Sequence, residues 1–259
     1  MLKTGKEKVQ QQFGSKAEKY RESSIHAKGA DLGLMVESAG LSGKENVLDI
    51  ASGAGHTAFA FAPFVKRCYG VDLTKEMVQE ANRIAKSRGI ENVEFLFGDA
   101  EDLPYPDTFF DVVTCRLAAH HFSNIKKSVS EVTRVLKPGG KFLLIDHYAP
   151  EDPVLDAFIN DLDHKRDPSH VREFTLSKWC QVFEESGLLY QEVSKWDLRI
   201  EFLDWVERSA TPADALRELV KLLQTASPKC KKTFDMQLNE HDEPLSFCLK
   251  VVLLLGRRN

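Results

Sequence analysis

The residues best placed to do chemistry begin with Asp49, which stands just before a glycine-rich turn. Residues 47–50 are otherwise apolar and predict a strand that is buried on both faces. Gly53 and Gly55 permit positive φ angles and let the backbone approach a ligand closely. An apolar helix is expected to begin near Thr57, and the N–H groups of its first turn have no carbonyl partner within the helix. The segment therefore predicts a ligand-binding turn.

Two classes of ligand compete for this turn. Residues 53–58 match the G-x-G-x-x-G/A fingerprint of dinucleotide sites, and Asp72 follows about 20 residues later, where a ribose-binding acid belongs. A dinucleotide would bring its pyrophosphate close to Asp49, and like charges about 4 Å apart repel by roughly 4 kcal/mol at an effective dielectric constant near 20. S-adenosylmethionine (SAM) carries an ammonium and a sulfonium group and no phosphate. Asp49 therefore favours SAM over NAD.

The ends of the next two predicted strands supply the remaining contacts for such a cofactor. Asp72 is suited to accept both hydrogen bonds of a ribose diol, and Leu73 follows it in the same site. Met77 returns near the strand end, where its thioether could lie against an adenine face. Asp99, followed by Ala100, could accept from the exocyclic amine of adenine. Open α/β sheets bind ligands at this carboxyl edge.

Two adjacent histidines, His120 and His121, are the leading candidates for a general base. If SAM donates its methyl group at this site, alignment of the receiving atom with that methyl group can lower the barrier by roughly 7–11 kcal/mol. No larger set of catalytic residues is then required. Adjacent side chains on a turn usually point apart, so at most one is expected to face the pocket. A histidine that bonds only to backbone is an equally good interpretation for each. Asp146 and His147, at the end of the fifth predicted strand, form a second polar pair that could face the pocket, but a surface or supporting role is slightly favoured for them.

Arg116 and the cysteines are less informative. Arg116 directly follows the fourth predicted strand and could meet the methionine end of SAM, hold an anionic substrate group, or be exposed. The cysteines lack C-x-x-C spacing, which favours free thiols in a reducing compartment. No ligand spacing predicts a metal site. The five are Cys68, Cys115, Cys180, Cys230 and Cys248.

Strand and helix patterns alternate along the first part of the chain, which predicts a parallel sheet in an α/β fold. Strands are predicted at 46–51, 67–72, 92–97, 109–115 and 140–147, and two more at 188–200 and 245–255. Helices are predicted at 56–65, 75–88, 124–136, 153–164 and 175–186, and residues 201–240 are expected to be mostly helical.

Several motifs in this order resemble those of the class I SAM-dependent methyltransferases, closest to the ubiquinone/menaquinone C-methyltransferases. The motifs are residues 48–55, 70–72 with Met77, 98–104, 110–113, 120–122 and 131–140. The resemblance covers 46–147 and implies a Rossmann-like, seven-stranded, mostly parallel sheet with a helical insertion before the last strand. Because it includes the segment from Phe13 to Tyr20, it also favours an N-terminal helical lid that contacts the cofactor through Tyr20 over a solvated arm packed against the sheet. Ala51 stands where the family has its first glycine.

Composition limits the remaining choices. The chain has 259 residues and a net charge of −4, which argues against a nucleic-acid substrate. No apolar run approaches about 18 residues and no signal peptide opens the sequence, so a cytoplasmic protein without stable membrane insertion is expected. One methyltransferase domain is predicted, as a monomer or homodimer, with an arm at 1–41, a cofactor-binding core at 42–150 and a substrate-side completion at 151–259.

The sequence thus predicts an enzyme that transfers the methyl group of SAM to a small-molecule acceptor. Two alternatives remain open from the residues alone. One is a SAM-binding sensor or scaffold without turnover, and the other, less favoured because of Asp49, is an NAD-type oxidoreductase.

Overall fold

A central sheet organises the chain in the computed structural model, which describes residues 4–14 and 29–259. The strands are β1 (Asn46–Ile50), β2 (Arg67–Asp72), β3 (Val93–Phe97), β4 (Phe110–Arg116), β5 (Leu136–His147), β6 (Leu188–Glu201), β7 (Gln237–Leu238) and β8 (Pro244–Arg258). Their order is β3-β2-β1-β4-β5-β8-β6, and the two-residue β7 pairs with β8. Strands β1 to β5 pair in parallel, whereas β8 runs antiparallel to β5 and β6. The predicted Rossmann-like, mostly parallel sheet is confirmed.

Helices cover both faces of this sheet. They are α1 (Gly5–Gly14), α2 (Ala30–Ala39), α3 (His56–Phe61), α4 (Lys75–Arg88), α5 (Ile125–Val135), α6 (Pro153–Arg166), α7 (Leu176–Glu185), α8 (Phe202–Arg208), α9 (Ala213–Gln224) and α10 (Pro228–Thr233). Short 3-10 turns follow at Ala62–Phe64 and Ala119–His121. Every helix in the described part of the chain is too short or too polar to span a lipid bilayer.

Alternation along the strands divides the core between the two faces. Val47 packs with α2, α3 and α4, whereas its neighbour Leu48 packs with α5 and α7. Val112 and Val113 divide in the same way. Successive strand side chains point to opposite faces, so a strand covered by helices on both sides must be apolar at nearly every position. Asp49 is the charged exception within residues 47–50 of β1, so a polar partner for its carboxylate is expected inside the fold.

The helices that follow β5, other than α7, form a third cluster against one end of β6 and β8. The helical segment predicted between these strands is confirmed, and α8, α9 and α10 pack there with α6. Helix α6 begins at a clear signal, because Asp152 Oδ1 accepts from Val154 N and Leu155 N while Pro153 occupies the first turn. This end of the sheet faces the predicted histidine pair.

The entry to β5 differs slightly from the prediction. The strand is predicted to begin at residue 140, but the structure begins β5 at Leu136 and bulges there. Phe110 pairs with Leu136, whereas Val112 pairs with Lys141. Gly139 adopts a φ of 76°, which glycine tolerates without steric cost.

Candidate active site

A pocket opens at the carboxyl edge of β1, β2, β3 and β4, with α1 across it. Most of the residues predicted to bind a cofactor line it: Ala51, Gly53, Asp72, Leu73, Met77, Asp99, Ala100 and Arg116. His121 lines it as well. Tyr20 lies outside the described residues, so its predicted contact stays a prediction. The pocket thus lies at the carboxyl edge of the sheet, where the sequence predicts a binding site.

The turn after β1 depends on backbone conformations that few residues adopt. Gly55 has a φ of 88°, and a Cβ there would lie 2.6 Å from the Phe95 ring and 2.9 Å from the Phe59 ring. Ala51 also has a positive φ, of 52°. Left-handed backbone costs an L-residue roughly 1–2 kcal/mol, so the glycine found here in similar methyltransferases has a conformational reason. Ala51 adopts the same conformation at that cost.

Asp72 is held by the backbone around it. Its Oδ2 accepts from Gly53 N at 2.8 Å, and its Oδ1 accepts from Thr74 N at 2.8 Å. Burial raises the pKa of this carboxyl, and the two N–H donors and the Thr74 side chain oppose the rise. A carboxylate offers about four acceptor sites, so Asp72 is fixed in place and can still accept from a diol.

Asp49 lies behind the pocket wall rather than on it. Its side chain is buried at 2% exposure, and it is absent from the residues that line the pocket. Thr114 Oγ1 donates to Asp49 Oδ1 at 2.8 Å, whereas Oδ2 has no hydrogen-bond partner in the described chain. Burial raises the pKa of Asp49 to about 7, although Thr114 and Arg116 favour the ionised form. An unpaired buried oxygen next to the turn is consistent with a cationic ligand there.

Arg116 is neither exposed nor a simple anion-binding group. Its side chain is almost fully buried and forms a bidentate pair with Asp31 of α2, with Nε–Oδ2 at 2.6 Å and Nη2–Oδ1 at 3.0 Å. The interpretation of an exposed arginine is therefore wrong. The pair ties α2 to the end of β4, at the wall of this pocket.

Helix α1 brings a lysine to the predicted adenine end of the pocket. Lys6 Nζ lies 2.6 Å from Asp99 Oδ2 and 2.7 Å from Glu101 Oε2. Glu101 N also donates to Asp99 Oδ1 at 2.9 Å. Both oxygens of the predicted adenine acceptor are thus already engaged. Phe13 of the same helix packs edge-on against the His121 ring, with the centroids 5.1 Å apart.

A second pocket adjoins the first, and Phe13, Leu117 and His121 line both. His120 and His147 also line it. The expectation that at most one of His120 and His121 faces a pocket is therefore wrong. The pair lies on a tight 3-10 turn that keeps the rings on one side, with centroids 4.2 Å apart.

Each of these histidines uses Nδ1 toward the protein. His120 Nδ1 lies 2.7 Å from Asp146 Oδ1, and His121 Nδ1 lies 3.1 Å from Ser169 O. Asp146 is fully buried and also accepts from the backbone N–H of His120 and His147. Burial lowers the pKa of His120 well below its usual value, which keeps the imidazole neutral. Asp146 is therefore not a surface residue, and it directs the His120 ring.

Behind the second pocket lies a set of buried acids. Asp163 and Glu173 approach His147, with Glu173 Oε1 3.4 Å from His147 Nδ1. Burial raises the pKa of Glu173 to about 7 and also raises the pKa of Asp163. Spacing in the sequence gave no metal motif, yet the fold collects two sets of potential ligand atoms: His120, Asp146, His147 and His147, Asp163, Glu173.

Comparison with known proteins identifies the family. A family model described as a methyltransferase domain matches residues 41–226. The chain belongs to this methyltransferase family. It is a class I SAM-dependent methyltransferase, as the motifs and the sheet order together predicted.

Several relatives of this methyltransferase cover most of its length. The uncharacterized methyltransferase YcgJ of Bacillus subtilis is 52% identical over 244 residues, 94% of this chain and 96% of YcgJ. The crystal structure of YcgJ has a TM-score of 0.87 and covers 88% of this chain and 97% of that one. YafE of Escherichia coli is 33% identical over 184 residues, 71% of this chain and 88% of YafE.

The ubiquinone/menaquinone C-methyltransferase UbiE of Francisella tularensis subsp. novicida matches a shorter part. It is 29% identical over 137 residues, 51% of this chain and 55% of UbiE. Sequence similarity thus extends over nearly the whole chain with YcgJ and over about half of it with UbiE.

The residues that sequence reasoning missed contact the site from distant segments. Lys6, Asp31 and Thr114 reach Asp99, Arg116 and Asp49 across separations of 93, 85 and 65 residues. A buried carboxylate inside an apolar strand was the one available signal, because it implied a nearby donor. It could not name Thr114 as that donor.

Proposed function

We propose that this methyltransferase binds SAM in the pocket at the carboxyl edge and methylates a small-molecule acceptor in the adjoining pocket. One observation carries the proposal: Phe13, Leu117 and His121 line both pockets. Two ligands that share three wall residues are close enough for direct transfer. Orientation of this kind supplies most of the rate in such reactions.

The cofactor pocket fits SAM through its carboxylate acceptors and its apolar side chains. Asp72 would accept from the ribose diol, and the unpaired Oδ2 of Asp49 would favour the ammonium end. Met77 and Ala100 would supply apolar contacts to adenine, while Asp99 would accept a hydrogen bond from its amine in competition with Lys6. When bound, SAM supplies an electrophilic methyl group with a neutral thioether as leaving group.

The second pocket suits a compact acceptor with an apolar body. Leu198, Ile200, Trp205 and Leu249 form apolar walls. Arg166 adds positive charge, with its guanidinium 4.9 Å above the Trp205 ring and its Nε donating to Trp205 O at 3.2 Å. An acceptor that carries an acidic group would complement this wall.

His120 is the favoured general base, and His121 the second candidate. Because Asp146 Oδ1 accepts a hydrogen bond from the Nδ1–H group of His120, the proton of the neutral imidazole stays on Nδ1 and Nε2 keeps its lone pair. That nitrogen can accept the proton of an acceptor hydroxyl or acidic carbon as the new bond to the methyl carbon forms. His121 lines both pockets and helps to orient the acceptor.

Two measurements test the proposal. Calorimetry should show that S-adenosylhomocysteine (SAH) binds with one-to-one stoichiometry and that NAD does not bind. A thermal-shift assay should agree, since a ligand at 100 times its Kd adds about 2.7 kcal/mol to the free energy of unfolding. Labelled SAM should then methylate members of a panel of phenols, quinols and small acids.

Failure of SAH to bind would contradict the cofactor assignment. SAH binding without turnover on any member of the panel would contradict the small-molecule acceptor. A cytoplasmic location, the lack of a nucleic-acid partner and a monomeric or dimeric state stay predictions, as does the division of the single domain at residues 41 and 150.

A further inference from the structure

Three potential metal ligands meet behind the acceptor pocket, each from a different element. His147 ends β5, Asp163 lies in the last turns of α6, and Glu173 follows in the loop between α6 and α7. One ligand atom from each lies within 4.8 Å of the other two. Donors bound to one ion at about 2.0–2.2 Å are separated by no more than roughly 4.4 Å. The cluster is thus close to the size that a single ion requires.

The Glu173 carboxylate lacks an N–H donor. Its side chain is fully buried, and neither carboxylate oxygen accepts a hydrogen bond among the described residues unless the neighbouring Asp163 carries a proton. The Nδ1 atom of His147, 3.4 Å from Glu173 Oε1, is unpartnered in the same sense. A buried carboxylate without compensation is costly. One shared proton would join Asp163 to Glu173, but it would leave His147 Nδ1 without a partner.

The neighbouring set of donors makes a useful contrast. In the set of His120, Asp146 and His147, the imidazole of His120 is already bonded to Asp146 at 2.7 Å. Asp146 also accepts from two backbone N–H groups. Those groups satisfy one another without an ion. Within these two sets of donors, the buried atoms without a hydrogen-bond partner in the described chain belong to His147 and Glu173.

The backbone around Glu173 is fixed before any ion arrives. Asn160 Oδ1 accepts from Glu173 N at 2.8 Å, and Asn160 Nδ2 donates to Glu173 O at 3.2 Å. Asn160 lies three residues before Asp163 on α6, so one helix positions both carboxylates. A preorganised ligand set loses little conformational entropy on binding.

We propose that His147, Asp163 and Glu173 bind one divalent transition-metal ion, of the class of Zn²⁺ or Mn²⁺. One imidazole nitrogen and two carboxylates form a mixed donor set that suits these ions. The ion would offset the buried negative charge and fasten β5, α6 and the following loop beneath the acceptor pocket. His147 also lines that pocket, so the ion would fix one of its walls. The site stands apart from SAM binding.

Calorimetry on the full chain, stripped of metal by a chelator and desalted, tests the site. ZnSO₄ and MnCl₂ are the probes, and one equivalent of at least one of them should bind and raise the Tm. Glu173→Gln and Asp163→Asn keep the side-chain volumes and should each weaken binding by at least about 100-fold. Asp161→Asn removes an acid from the same helix at a half-exposed position and should bind metal like the wild type.

Three results would overturn the inference. No heat and no Tm shift with either ion would show that Asp163 and Glu173 hold a shared proton only. Binding that survives both substitutions would place the ion elsewhere. Equal weakening by Asp161→Asn would indicate a general charge effect. SAH binding, measured on the same stripped protein, keeps this test separate from the proposed methyl transfer, because the cofactor pocket contains none of the three residues.

Discussion

The cofactor edge of the sheet and the cluster behind the acceptor pocket satisfy their carboxylates in different ways. At the cofactor edge, Asp72 and Asp99 each accept from a backbone N–H group two residues away, and Asp72 also accepts from Gly53 N in the turn after β1. Behind the acceptor pocket, no N–H group of the described residues donates to the Glu173 carboxylate. Backbone therefore holds two acids of the first region, although Asp49 keeps an unpaired Oδ2 there, whereas Glu173 is compensated by a proton shared with Asp163 or, on our proposal, by an ion.

The two regions also differ in how the chain builds them. Most residues of the cofactor edge follow one another between β1 and the turn after β4, each at a strand end. The acceptor side takes residues from that turn, from β5, α6, α8 and from the last two long strands. Cofactor binding and turnover should therefore respond separately to substitution.

The largest separation is expected for His120→Ala. Loss of the base should lower the turnover of an acceptor found in the screen by about 10²–10⁴-fold. SAH should bind as before, since His120 does not line the cofactor pocket. Calorimetry and initial rates measure the two effects. His241→Ala, at a highly exposed position, is the control and should change neither. If His120→Ala weakened SAH binding as much as it lowered turnover, cofactor binding and turnover would not respond separately to substitution.

Asp72→Asn should produce the opposite pattern. Hydrogen bonds to charged groups are worth about 1.5–3 kcal/mol, so the Kd of SAH should rise roughly 10- to 100-fold. Asp107→Asn, which removes an exposed acid paired with Arg134, is the matched control. Calorimetry at a single pH measures the Kd of SAH for both variants, and only Asp72→Asn should raise it. An unchanged Kd in Asp72→Asn would remove this carboxylate from the ribose site.

Asp49 should make cofactor binding depend on pH. Its pKa is about 7 in the free protein, and a bound ammonium group would lower it, so binding releases a proton below pH 7. SAH affinity should be constant above about pH 7 and fall toward tenfold per pH unit below it. Titrations at several pH values measure the slope. Asp49→Asn should bind more weakly above pH 7 and show no such slope, and a slope that persists would assign the proton to another group.

The smallest effect is expected for Lys6→Met. Lys6 is partly exposed, and ion pairs of this kind contribute at most about 1 kcal/mol. Its removal should free Asp99 for the adenine amine and tighten SAH binding by no more than about fivefold. Lys8→Met on the same helix is the control, measured by calorimetry. Weaker binding in Lys6→Met would mean that the lysine supports the cofactor rather than competing with it.

Local patterns predicted the fold well because they encode local structure. The glycines and the apolar run around Asp49 predicted β1 and its turn, and the alternation of strands and helices predicted the parallel sheet. The strand-end acids Asp72 and Asp99 were placed at one edge, because parallel strands that alternate with helices bring their carboxyl ends together. That logic needs no knowledge of side-chain packing.

The sequence by itself thus determined the sheet, the methyltransferase family and the edge at which we propose that the cofactor binds. Only the tertiary structure paired Arg116 with Asp31, Lys6 with Asp99, and His147 with Glu173. The physical reason is the range of the signal. Hydrophobic period and turn chemistry act over a few residues, whereas these contacts depend on how separate elements rotate and pack against the sheet.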